Sequence, residues 1–167
     1  MSRLVLCNSV AYDAWPIESM LQLGHPLLAR VPARVVEPVL RGMLRLGFAK
    51  TPPEGLIEGL LAPYATEVGK MSLVRCAAAL NTNLTTEING LLHRLLAPTL
   101  ILWGESDRFL PASVGERLAW DIPDATLARV ARARHFLMWD RRDELMSRIG
   151  GFLEPLRREV PRPDAWM

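Results

Sequence analysis

A chain of 167 residues is long enough for one domain with its own core. Half of its residues are hydrophobic and 23% are charged, which excludes a disordered or fibrous chain. The net charge of +2 comes from arginines scattered among Leu and Ala, with Lys50 and Lys70 the only lysines, and such solvated helix faces argue against a nucleic-acid interface.

The opening Met-Ser-Arg-Leu-Val-Leu-Cys-Asn is too short and too soon polar for a signal peptide. Leu4 to Cys7 predicts a fully buried strand of the kind found in parallel sheets. Asn8 to Pro16 predicts a turn region. From Ile17 to Leu96 the pattern is helical. Leu21, Leu23, Leu27 and Leu28 predict one helix, broken around Gly24-His25-Pro26, and Val35 to Leu46 predict a second that ends near Gly47. Thr51-Pro-Pro-Glu predicts the start of a short third helix, with Thr51 as its cap, stopping near Pro63. Glu67 to Leu80 predicts a fourth, with Val68, Met71, Val74 and Ala77 on one face. Thr82 to Leu96 predicts a weaker fifth.

The period then changes. Thr99-Leu-Ile-Leu-Trp103, between Pro98 and Gly104, predicts a second buried strand. Pro111 to Ile122 predicts a helix, and Thr126 to Val130 a third, shorter strand. Arg141 to Leu156 predicts an amphipathic helix with Leu145, Ile149, Phe152 and Leu153 inward. The tail from Arg157, with Pro161 and Pro163, is expected to fray. Cys7 and Cys76 sit in apolar runs and read as two buried thiols of a reducing compartment; a metal site would need more ligands at tighter spacing. No apolar run approaches the ~18 residues of a membrane span, so the default is a soluble cytoplasmic protein.

Two stretches carry chemistry. Pro98-Thr-Leu-Ile-Leu-Trp-Gly-Glu-Ser-Asp-Arg-Phe-Leu-Pro111 sets Asp107 just past one strand, and Arg134-His-Phe-Leu-Met-Trp-Asp140 sets His135 just past the next. Ligands of open α/β sheets bind outside the carboxyl ends of strands, so both side chains project to the right edge. Taken singly, the Asp could be a turn residue capping the following helix, and the His a loop residue. His25 and His93 read as surface or packing residues.

In this order the two stretches resemble the C-terminal part of the α/β-hydrolase fold. The resemblance implies Asp107 as the triad acid after the seventh strand and His135 as the base after the eighth. It also implies that Leu-Val-Leu-Cys-Asn-Ser-Val-Ala-Tyr-Asp-Ala-Trp-Pro holds the sixth strand and its exit loop. Asp13, in that exit region, is the rival acid, since some members carry the acid there. Arg134 stands where a Gly usually precedes the family's His.

No nucleophile accompanies the pair. The family nucleophile sits on a strained G-x-S-x-G turn between strand and helix. None of the serines at 2, 9, 19, 72, 106, 113 and 147 is flanked by Gly on both sides at that spacing, and no Cys or Asp is either. The oxyanion-hole loop expected after the third strand is missing too. The expectation is therefore an α/β chain with a partial α/β-hydrolase fold: about three parallel strands from the C-terminal side of the sheet plus a helical cap. Residues 1–16 hold a core strand and exit loop, 17–96 the cap, 97–156 the C-terminal core and 157–167 the tail. The intact enzyme is expected to hydrolyse a small, mostly apolar ester, epoxide or haloalkane without a cofactor or metal. The chain alone is expected to lack normal turnover. The alternatives are a non-catalytic binding or self-associating module, a homodimer included, and one half of a split hydrolase completed by an N-terminal half. The residues leave open the substrate, the oligomeric state and whether the nucleophile is Ser, Asp or Cys.

Overall fold

The computed structural model describes residues 2–13, 22–80 and 83–159. Three strands, β1 (Leu4–Cys7), β2 (Thr99–Gly104) and β3 (Ala125–Val130), form one parallel sheet in the order β1-β2-β3. Leu4 pairs with Thr99, and Thr99 in turn with Ala125, so all three carboxyl ends meet at one edge.

The continuous apolar run of β2 follows from its central place. Side chains alternate across a strand, and both faces here are covered. Ile101 and Trp103 pack with Val114 and Leu118 of helix α5 (Ala112–Asp121) and with Ile122 just past its end. Leu100 and Leu102 pack on the other face with Val130, Ala133, Leu137 and Leu145. The second layer comes from α6 (Leu137–Asp140) and α7 (Arg142–Glu159). Gly115 lets α5 lie close, since a Cβ there would come within 2.6 Å of the Trp103 ring. β1 is only half-buried, not fully buried as expected, because it is one of the sheet's two outer strands. The last helix runs to Glu159, past the expected fraying point at Arg157; the rest of the tail lies outside the described residues.

Between β1 and β2 the described chain is helical: α1 (Ala33–Leu46), α2 (Leu56–Leu61), α3 (Glu67–Ala78) and α4 (Asn83–Thr86), with 3-10 turns at Pro26–Arg30, Ala62–Tyr64 and Asn89–Arg94. Leu23, Val36, Leu40, Ile57, Leu61 and Ala77 make a separate small core. The break at Gly24-His25-Pro26 becomes the first 3-10 turn, where the His25 side chain accepts from Leu27 N–H. The expected helix start at Thr51 is wrong. The helix begins after Gly55, whose φ of +74° suits glycine. On α3 Val74 and Ala77 are buried as expected, but Val68 is 78% exposed and Lys70 is buried beside them.

Lys70 is buried because its ammonium has partners. It donates to the carbonyls of Ala29 (3.0 Å) and Val31 (2.7 Å) and pairs with Glu67 at 2.7 Å. Glu67 also accepts from Ala33 N–H at the start of α1. That backbone bond first, and Lys70 second, hold its carboxyl below the usual range. The two cysteines are free: Cys76 is exposed rather than buried, and burial pushes the half-buried Cys7 thiol up. Among the described residues no helix is long and apolar enough to cross a membrane.

Candidate active site

The turn after β2 is organised by Asp107. Its own N–H donates to Gly104 O (3.1 Å), and its Oδ1 accepts from Phe109 N–H (2.7 Å) and Leu110 N–H (3.2 Å). Those bonds turn the chain into α5 and leave Oδ2 facing inward. Oδ2 meets His135 Nδ1 at 2.9 Å. The Asp107 side chain is 1% exposed and that of His135 24%, so the acid is sealed while the imidazole reaches solvent. Phe109 and Phe136 stand edge-on to the imidazole at 5.0 and 5.4 Å.

A carboxylate at Nδ1 selects the tautomer with its proton on Nδ1 and leaves Nε2 with a lone pair. That arrangement can take a proton at Nε2 and stabilise the resulting imidazolium through Asp107. The two sequence candidates are thus in direct contact. Asp13, the rival acid, is exposed in the turn after β1, and His93 is exposed as well.

Two residues that the sequence reading gave no role bond to the backbone next to the pair. The first is Asn8, directly after β1, with φ +39° and buried. Its Nδ2 donates to the carbonyls of Arg134 (2.9 Å) and His135 (2.8 Å), while its Oδ1 accepts from Gly104 N–H (2.8 Å). One amide therefore spans the ends of all three strands with every donor and its carbonyl used. Asn tolerates the left-handed region better than most residues, and an Asn just past a strand was the available signal. Asn8→Ala would strand three buried backbone groups and should cost about 2 kcal/mol. A urea midpoint unchanged from wild type at constant m would contradict this.

The second is Asp140, at the end of α6 and buried. It lies inside the quoted His motif, and its carboxylate accepts from the N–H groups of Arg134 and Ala49. Arg134, directly before His135, is also used: its guanidinium donates to Phe48 O at 2.9 Å. A surface cleft of about 710 Å³ opens on the helical segment, lined by Arg45, Lys50, Glu54, Ile57 and Glu58 among others. Neither Asp107 nor His135 lines it, so it is set apart from the acid–imidazole pair. Among the described residues no three His, Cys, Asp or Glu side chains converge as a metal site would need.

A family model described as alpha/beta hydrolase fold matches residues 66–142. The chain is 38% identical over 63 residues to a 2-hydroxy-6-oxononadienedioate/2-hydroxy-6-oxononatrienedioate hydrolase of Pseudomonas sp, covering 38% of this chain and 22% of that protein. An alpha/beta hydrolase fold protein from Burkholderia ambifaria superposes with a TM-score of 0.77 at 24% identity, over 89% of this chain and 56% of that one. An esterase from Exiguobacterium antarcticum gives 0.65 at 17% identity, over 92% and 57%. The match spans about a fifth of the curated relative's length and a little over half of each solved chain.

Proposed function

This chain is part of an α/β-hydrolase fold, and we propose that it supplies the acid and the general base of a hydrolase whose nucleophile lies on polypeptide outside these 167 residues. The observation that carries the reading is the sealed Asp107 carboxylate on His135 Nδ1, with the imidazole itself partly exposed to solvent. His135 takes the proton from the attacking hydroxyl, or from water where the nucleophile is a carboxylate, and Asp107 holds the imidazolium. Residues 17–96 act as the cap that shapes the substrate pocket and keeps water out. The substrate is small and mostly apolar. Simple apolar esters are therefore the first to try, and the name of the Pseudomonas relative adds 2-hydroxy-6-oxononadienedioate, a dicarboxylate outside that class, as the second.

The test has two arms. The 167-residue chain alone should show no turnover of p-nitrophenyl esters above background, because the nucleophile and oxyanion donors supply most of the catalysis. Joined to its upstream coding region, or to the remaining part of the Burkholderia ambifaria fold, it should hydrolyse one of these substrates. Robust turnover by the chain alone, lost in His135→Ala, would put the nucleophile within it and overturn the reading. A second reading, self-association, is favoured by one observation: the outer edge of β1 has no partner strand among the described residues. Light scattering on the purified chain separates a monomer from a dimer.

A further inference from the structure

The backbone around His135 is gripped from two sides. Asn8 takes the carbonyls of Arg134 and His135 from the β1 side. The segment just past α1 binds the same loop. Gly47 O accepts from Phe136 N–H at 2.9 Å, and Phe48 O accepts from the Arg134 guanidinium. Asp140 joins the two elements. Its Oδ2 accepts from Arg134 N–H at 2.9 Å, and its two oxygens share Ala49 N–H at 2.9 and 3.0 Å. The Phe48 and Phe136 rings pack alongside at 4.7 Å. Gly47 has to lack a side chain there, since a Cβ would come within 2.5 Å of the Phe136 ring.

We infer that Asp140 is a positioning residue that locks the end of α1 to the histidine loop, so that the docking of the helical segment sets the imidazole of His135 against Asp107. The Arg134 N–H it holds belongs to the residue just before His135. Losing that bond frees the peptide to rotate and carries the imidazole away from the Asp107 carboxylate. A buried carboxylate accepting backbone N–H groups makes charge-assisted bonds, roughly twice as strong as neutral ones, which suits a joint between elements far apart in sequence. The inference rests on the reading of His135 as base, but its test needs no activity.

The experiment follows the His135 Nδ1–H resonance and its solvent exchange in the ¹⁵N-labelled 167-residue chain, in wild type, Asp140→Asn and Asp140→Ala. Asp140→Ala should exchange about tenfold faster than wild type, the scale expected when charge-assisted bonds are lost, and Asp140→Asn about threefold faster, because one amide oxygen still accepts while the charge is gone. A residue that only stabilised the fold would lower the melting temperature and leave this exchange unchanged. Wild-type exchange in both variants overturns the inference. Should Asp140→Ala fail to fold, the isosteric Asp140→Asn decides alone by the same two outcomes. No protected Nδ1–H in wild type would instead overturn the Asp107–His135 reading itself, and the inference with it.

Discussion

His135→Ala should abolish turnover of the completed hydrolase, with a loss of kcat on the order of a millionfold, the scale seen when the base of a nucleophile–histidine–acid unit is removed. Asp107→Asn should lose about 10⁴-fold for a different reason. Asp107 Oδ1 is tied to the N–H groups of Phe109 and Leu110, so the oxygen of an asparagine has to take that position. Its NH₂ group then faces His135 Nδ1 and donates to it. The imidazole proton moves to Nε2, and the base is protonated where it should accept. The fold has little cause to change, since the backbone bonds of the turn survive. Single-turnover and steady-state rates with 2-hydroxy-6-oxononadienedioate and p-nitrophenyl acetate would check both variants, with circular dichroism as the control. A fully active Asp107→Asn enzyme would return the acid's role to Asp13.

Gly104→Ala should damage stability and activity together. A Cβ at Gly104 would lie 2.5 Å from Arg134 O and 2.8 Å from Ala133 O. Both are backbone atoms, so no side chain can swing aside. The end of β2 and the histidine loop must move apart, against the Asn8 bonds that join Gly104 to Arg134 and the bond from Ser106 N–H to Ala133 O. Forced overpacking of this kind costs about 3 kcal/mol. The same displacement opens the Asp107–His135 contact, and a misplacement near 1 Å is worth roughly 10²-fold in rate. Urea unfolding at constant m and kcat of the completed enzyme measure the two effects. A variant within about 0.5 kcal/mol of wild type would show that the loops can give, contrary to this account.

β1 and β2 were legible because each is a short, mostly apolar run, and β2 is apolar almost throughout because both of its faces are covered. Helix α1 was legible from its period. The Asp107–His135 pair was legible as order along the chain, and the structure places the two in contact. Other features follow from contacts that no local pattern records. Lys70 replaces Val68 on the inner face of α3 because two carbonyls from the turn near Ala29 receive its ammonium. Gly55, not Thr51, opens α2 because the chain must first turn through a left-handed residue. Asn8 and Asp140 act across most of the chain, one on the loop of residue 134 and the other on Ala49, and neither bond has a sequence period.

The strand pairings also dictate an order of assembly. β2 and β3 pair Thr99 with Ala125 across a short connection, whereas β1 and β2 pair Leu4 with Thr99 across the whole helical segment. Closing the longer loop costs roughly 1 kcal/mol more in chain entropy, and such contacts tend to form late. Leu127→Ala should therefore slow folding, while Leu6→Ala should mainly speed unfolding; equal φ values for the two would reject this order. Asn8 travels with β1. The acid and the histidine can meet as soon as β2, α5 and β3 have folded, but their final alignment waits for the last strand to arrive.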